Sequence, residues 1–257
     1  MPKVMVSSGN RWRLWLRVAT WCMAAASTAF ATREIRRFAF TDPRFALKDV
    51  PARDMAANGI VVEGARYASR ARLIQVFAPD FGHSVFKIPL AERRRRLLAV
   101  DWVEEASVSR IWPNRLVVRI RERTPVAFAN LHTGFLLVDA QGVLLAPPLK
   151  TRFALPVISG LTVDQPEEER RTRVQTMLHF MNELGRAADS VSEVHVEDPS
   201  DLHATVQMKD RAVELWMGDQ NYTSRYQNFI SHYEQIRNRS ETVSTFDLRI
   251  DGSIITK

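Results

Sequence analysis

Cysteine is what this chain has least of. Cys22 is the only one in 257 residues, which excludes an internal disulfide and any cysteine-rich metal site. Six histidines, at positions 83, 132, 179, 195, 203 and 232, show no H-x-x-x-H or H-x-x-E-H pairing, so a zinc site has no support. The phosphate-cradling patterns G-x-x-x-x-G-K-[ST] and G-x-G-x-x-G are absent. So is G-x-S-x-G, since Ser159-Gly160 belongs to a strand-turn stretch and not to a nucleophile elbow. Glu167, Glu168 and Glu169 are adjacent carboxylates, but neighbours on a helix face different ways. They read as charges favouring a helix N-terminus. No catalytic residue, cofactor or small-molecule substrate is expected.

Acidic residues are missing from the start of the chain. None precedes Glu34, whereas Lys3, Arg11 and Arg13 do. Residues 1–59 hold 10 Lys/Arg against 4 Asp/Glu, residues 60–125 hold 13 against 7, and residues 126–257 hold 13 against 18. A basic front and an acidic back imply modules in different surroundings. Basic charge would permit nucleic acid, but the N-terminus argues for a membrane surface instead. The most apolar stretch is 14–32, LWLRVATWCMAAASTAFAT, with Arg17 its only charge. At about 1.5 Å per residue it reaches about 27 Å, a short but workable span of the hydrocarbon core. The cationic lead keeps the N-terminus cytoplasmic and sends the rest of the chain across. A cleaved signal peptide is the rival reading, because Ala29-Phe30-Ala31 has the small-x-small form of a cleavage site.

Beyond a connector over 33–58, in which Phe38, Phe40, Phe45 and Leu47 could support a short strand, period-two patterns begin. The clearest is Val100–Phe128. Val103, Ala106, Val108 and Ile111 alternate with polar residues; after Trp112-Pro113-Asn114, Leu116, Val118 and Ile120 alternate with Arg115, Val117, Arg119 and Arg121. Side chains on a strand alternate faces, and Pro-Asn suits a turn, so this is a β-hairpin. Before it come a strand at 60–64, a helix capped by Ser69, an extended piece at 83–88 and a helix from Pro89 or Leu90 to Ala99. Together these are helices on one face of a small sheet. After Pro125, strands at 126–131, 135–138, 142–145 and 155–158 precede a helix over 166–187. Strands at 191–196, 203–208 and 212–217, a helix over 222–239 and a last strand from Val243 complete the chain. The class is α+β: an N-terminal transmembrane helix, a small domain over 59–125, and a larger, mainly antiparallel β domain with two helices over 126–257.

The frame W-V-x-x-A-x-V-x-R-x-x-P-x-x-L-x-V-x-I-x-E-R-x-P-V-A, matched nearly throughout from Trp102 to Ala127, resembles the FtsQ/DivIB family of bacterial division proteins. Asp139–Gly142 (D-x-x-G) and Leu155–Gly160 (L-P-x-I-x-G) follow at the family's spacing. The resemblance implies a cytoplasmic tail over 1–13, one transmembrane helix over 14–32, a POTRA domain over 59–125 and a β domain over 126–257. It implies residence in the cell inner membrane at the division septum and no enzymatic activity. It further implies capture of FtsB, with FtsL, by strand addition at the last strand. The matching positions are Ser244, Phe246, Asp247, Leu248, Arg249, Ile250, Asp251 and Gly252, with Tyr226 and Tyr233 nearby. In the residues themselves, Phe246, Leu248, Ile250 and Ile254 make one apolar face, with Asp247, Arg249 and Asp251 opposite; the bland alternative is a strand that merely closes the core. FtsK at the POTRA edge and the septal peptidoglycan synthases are further implied partners. Arg93, Arg94, Arg95 and Arg96 read either as a solvated helix face or as a contact with anionic headgroups. A POTRA-bearing translocation or outer-membrane assembly factor is the alternative function, and a periplasmic cell-wall hydrolase a third.

Overall fold

The computed structural model describes residues 11–48, 59–148, 151–209, 211–239 and 243–257, in two units, Met1–Glu122 and Arg123–Lys257. The first begins with helix α1 (Arg11–Thr41), which contains the stretch expected to cross the membrane. No helix among the described residues is long and apolar enough to cross a membrane. Arg17 and the hydroxyls of Thr20, Ser27 and Thr28 dilute the apolar content, although Thr28 folds its hydroxyl back onto the Ala24 carbonyl at 2.7 Å. The short strand expected over Phe38–Leu47 is not formed, because the helix runs on to Thr41. It stops where Pro43 pushes Asp42 out of the helical region, to φ −72° and ψ 127°. The Asp42 carboxylate then accepts the Arg44 N–H at 2.8 Å and starts a 3₁₀ turn, Pro43–Phe45. Residues 1–10 and 49–58, parts of the expected tail and connector, lie outside the described residues.

The small sheet of this unit has three strands, β1 (Ile60–Glu63), β2 (Val103–Ile111) and β3 (Arg115–Glu122), in the order β1-β3-β2. The expected hairpin is β2–β3, antiparallel, with Ala106 opposite Ile120 and Ile111 opposite Arg115. A register shift between Val103 and Glu105 puts Val103 and Ala106, three apart, both into the core. Val117, placed among the polar side chains by its alternation, is buried, since β3 is the central strand. Between the strands lie helices α2 (Arg70–Gln75), capped by the Ser69 hydroxyl, and α3 (Leu90–Leu97). The extended piece expected at 83–88 is a run of turns instead, touching a strand-like partner through one isolated bridge, Ser84 to Ala46. The Glu122 carboxylate, at the end of β3, accepts the backbone N–H groups of Arg66, Tyr67 and Ala68 at 2.8, 2.7 and 2.6 Å. That carboxylate fixes the path from β1 to α2. Gly64, at φ +82°, ends β1; a Cβ there would collide with the Ile120 carbonyl.

The second unit is a nine-stranded mixed sheet. Its strands are β4 (Pro125–Leu131), β5 (Gly134–Asp139), β6 (Leu144–Leu145), β7 (Val157–Ser159), β8 (Val191–His195), β9 (Leu202–Gln207), β10 (Ala212–Gly218), β11 (Thr245–Asp247) and β12 (Ile255–Thr256). They lie in the order β12-β11-β10-β9-β8-β7-β4-β5-β6. Five of its eight pairings are antiparallel. Helix α4 (Glu167–Leu184) joins the parallel neighbours β7 and β8, and α5 (Tyr222–Arg239) joins the parallel neighbours β10 and β11. Both crossovers move the same way along the sheet between strands of the same direction. Right-handed crossovers therefore put both helices on one face. Val174, Met177, Phe180 and Leu184 of α4 and Tyr222, Phe229 and Tyr233 of α5 fill the core beneath them. Buried positions in β9 (Leu202, Ala204, Val206) and β10 (Val213, Leu215, Met217) meet those helices, and His203, Thr205, Glu214 and Trp216 line the other face.

Candidate functional site

The expected docking strand is shorter than its period-two pattern implies. Only Thr245–Asp247 are strand; Leu248 to Ile254 form a loop that returns to pair Ile255 with Asp247 and Thr256 with Phe246. So β11 is an interior strand and β12 is the edge. Of the expected apolar face, Phe246 and Leu248 are fully buried, but Ile250 is 61% exposed in the loop. Of the expected polar face, Asp247 is buried instead of exposed. The reason is chemical, since two cations close over its carboxylate. Ser244 and Gly252 are both exposed, the latter at φ +73° as the turn residue foreseen in Asp251-Gly252.

Two side-chain clamps hold the loop and the edge strand. In the first, Arg249 donates to both oxygens of Asp247 at 2.9 and 2.6 Å, and Lys257 Nζ lies 3.4 Å from the same carboxylate. The Arg249 hydrogen bonds, with Lys257 behind them, hold the Asp247 carboxyl at about 2, below the ordinary 3.8. Trp216 is the floor of this clamp. Lys257 Nζ sits 3.2 Å from its ring centre, the Arg249 guanidinium 4.8 Å, and His203 stacks on it at 4.5 Å. In the second clamp, buried Arg225 donates to Asp251 at 2.8 Å and to the Met217 carbonyl at 2.6 Å, while Asn221 donates to Asp251 at 2.9 Å. Sequence reasoning misses Lys257, Trp216, His203 and Arg225. Only the concentration of charge at 247–251 signals that the end of the chain is tied down by ion pairs.

The two units correspond to two matched family models. Residues 55–123 match the POTRA domain, FtsQ-type, and residues 127–249 match Cell division protein FtsQ/DivIB, C-terminal. The chain belongs to the FtsQ/DivIB cell division family. It is 35% identical to Cell division protein FtsQ of Koribacter versatilis over 206 residues, 78% of this chain and 59% of that protein, so the match spans little more than half of that relative's length. It is 25% identical to the FtsQ of Shewanella oneidensis over 95% of this chain and 86% of the relative. Among solved structures, the major extracytoplasmic domain of DivIB from Geobacillus stearothermophilus aligns with 47% of this chain and 96% of its own, at 18% identity and a TM-score of 0.27.

In this FtsQ/DivIB chain the remaining expected positions fall apart from one another. Tyr233 is buried, packed on Phe229 at 5.3 Å and near Phe246. Tyr226 is half-buried and lines a groove of about 290 Å³ with Leu184, Ala187 and Ile230, away from the edge strand. Besides Arg225, α5 meets the edge loop through Asn228, His232, Gln235 and Ile236, which form a groove of about 260 Å³ with Gly252 and Ile254. The arginine run of α3 is likewise divided. Arg93 is buried, neither solvated nor free for lipid, because its guanidinium grips Asp80 at 2.6 and 2.9 Å. Arg94 donates to the Ala106 carbonyl at 2.8 Å, Arg96 pairs with Glu92, and Arg95 is exposed. Arg94 thereby occupies part of the open side of β2, the edge considered for a second partner. Among the described residues no cluster of three or more His, Cys, Asp or Glu could hold a metal ion, and no second three-stranded unit favours the translocation-factor alternative.

Proposed function

We propose that this chain is a non-enzymatic, single-pass scaffold of the inner membrane at the division septum, which captures an FtsB-type partner, with FtsL, by strand addition to β12. In this reading α1 anchors the chain with its N-terminus cytoplasmic. The POTRA unit follows on the other side of the membrane, its edge open to early division proteins such as FtsK, and the chain as a whole couples these to the septal peptidoglycan synthases. For the anchor, the support is that Trp12, Trp15, Trp21, Met23 and Phe30 are each more than 60% exposed, with Leu16 and Val18 also open, so the exposed apolar surface is not confined to one face of the helix. A helix apolar all round belongs in lipid or in a core, and tryptophan favours the headgroup boundary.

The observation that carries the docking reading is the contrast between the two ends of the nine-stranded sheet. Beyond β6 come Pro147 and Pro148, which lack the N–H a partner strand needs. β12 and the residues leading into it, Ser253 and Ile254, hold no proline, and Ile255 and Thr256 are exposed. The Lys257 N–H turns inward to the Thr245 carbonyl at 3.1 Å, so alternation along the strand turns the Thr256 N–H and C=O outward. Truncation after Thr245 would also remove core residues Phe246 and Leu248, so a sharper test is a single substitution. Thr256→Pro deletes the outward donor and keeps the inward ladder. It is expected to weaken binding of the purified FtsB partner by about tenfold or more, roughly 1.4 kcal/mol, with Thr256→Ala near wild type. Equal affinity of Thr256→Pro and wild type in calorimetry would remove strand addition at β12 from the account.

A further inference from the structure

We propose that the tip of the β2–β3 hairpin, Trp112 with Ile111 and Phe38, seats in the anionic headgroup layer beside the end of α1 and props the POTRA unit on the membrane. The inference rests on the reading of α1 as a membrane anchor. It begins with how α1 ends. The last turn of the helix is fastened to the POTRA unit by the Ser84 hydroxyl, which donates to the Ala39 carbonyl at 2.7 Å. Three backbone bonds continue the seam: Leu47 N–H to His83, Gly82 N–H to Leu47 and Val85 N–H to Phe45, at 3.0, 2.9 and 2.8 Å. Phe45, buried at this seam, touches Phe38 of the helix at 5.6 Å, Phe86 at 5.5 Å and Trp112 of the hairpin tip at 5.4 Å. Helix end and hairpin tip thus share one aromatic cluster, and the depth of one sets the depth of the other.

The cluster is unfinished on its outer side. Trp112 is 69% exposed and Phe38 49%, with Ile111 also open to solvent. An indole with one edge in a cluster and most of its surface outside suits the boundary between hydrocarbon and headgroups. Charge selects the same occupant. Arg33, Arg36 and Arg37 project from the last turns of α1, and Arg115 flanks the tip, all exposed. Arg44 lies over the Phe38 ring at 5.3 Å. The acidic residues on this stretch are Glu34 and Asp42, and Asp42 is already held by Arg44 at 3.0 Å. Aromatic surface ringed by surplus arginine fits an anionic bilayer. The arginine run of α3 fits it less well, being spent on Asp80, Ala106 and Glu92.

The test uses the full chain in phosphatidylcholine vesicles containing phosphatidylglycerol, with a bimane probe on one thiol at a time and spin-labelled lipids as quenchers. Native Cys22 reports whether α1 enters the bilayer. Ile111→Cys in a Cys22→Ser background reports the tip, and Asp101→Cys, roughly 30 Å away at the other end of β2, is the control. We expect Cys22 to be quenched by deep labels, and the tip to be quenched by headgroup labels about threefold more than position 101. Adding Trp112→Ser, or omitting phosphatidylglycerol, should cut the tip signal by about half. A tip no more quenched than position 101, with Cys22 quenched, overturns the proposal and leaves the anchor standing. An unquenched Cys22 overturns the anchor, and the proposal falls with it.

Discussion

Two hairpins of this protein, β2–β3 and β11–β12, are built on opposite principles. β2–β3 is held by its backbone: eight residue pairs, seven of them in one unbroken register, an alternating pattern and a turn residue pair at the tip. Its cross-strand charges, such as Arg121 with Glu104 and Glu105, lie on the surface. β11–β12 has two residue pairs and a loop of seven residues, far too little ladder to stand alone. Side chains hold it instead: Phe246 from below, Asp247 with Arg249 and Lys257 at the edge, Arg225 with Asp251 at the turn. The first is a building element of its sheet. The second is a strap whose position depends on a few side-chain contacts.

Substitutions can break that contrast. The largest effect is expected for Phe246→Ala, which empties a fully buried ring site against Phe229 (4.9 Å) and should destabilise the second unit by about 3–5 kcal/mol in denaturant unfolding followed by Trp216 fluorescence. A loss under about 1 kcal/mol would mean that the strap is not anchored from below.

Acid should act next. The Asp247 carboxyl is lowered from 3.8 to about 2, so the unfolded chain binds its proton first as pH falls. The stabilisation is complete above about pH 4 and is lost as pH drops towards 2, on the order of 2 kcal/mol in all. Asp247→Asn should remove this acid-dependent part of the unfolding curve between about pH 4 and 2; an unchanged pH profile would show that the clamp contributes nothing. Smallest is Arg121→Ala in the first hairpin, whose partners are on the surface. It should leave the POTRA unit's thermal unfolding close to that of the wild type, because solvent screens an exposed pair. A marked drop in the unfolding temperature there would erase the distinction between ladder-held and clamp-held hairpins.

The same distinction explains how much is legible in the residues alone. Helices α4 and α5, the β2–β3 hairpin and the succession of strands along the second unit follow from periodicity and turn residues, which act over a few positions; the order of those strands in the sheet does not. Phe180 does not stand out on α4 although it is fully buried, because Met177 and Met181 already satisfy the helical spacing around it. The last strand lies in the stretch its alternation marks, but with a different extent. Phe246-Asp247-Leu248-Arg249-Ile250 looks like a continuous strand, yet Asp247 turns inward to cations that come after it and the chain folds back after Leu248. Arg93 is hidden in the same way: within RRRR nothing marks which guanidinium will meet Asp80, 13 residues earlier. Local pattern reports the backbone; pairings between distant charged side chains leave no period behind.

The carboxylate of Glu122 gives the POTRA unit a further property. Three consecutive amides in the loop between β1 and α2 give their hydrogens to one side chain rooted in the central strand. For Arg66, Tyr67 and Ala68 to trade those hydrogens with solvent, either the carboxylate must swing away or the end of β3 must lift. A surface loop is thereby enrolled in the cooperative opening of the sheet, and in time as well as in space it behaves as part of the strand that holds it.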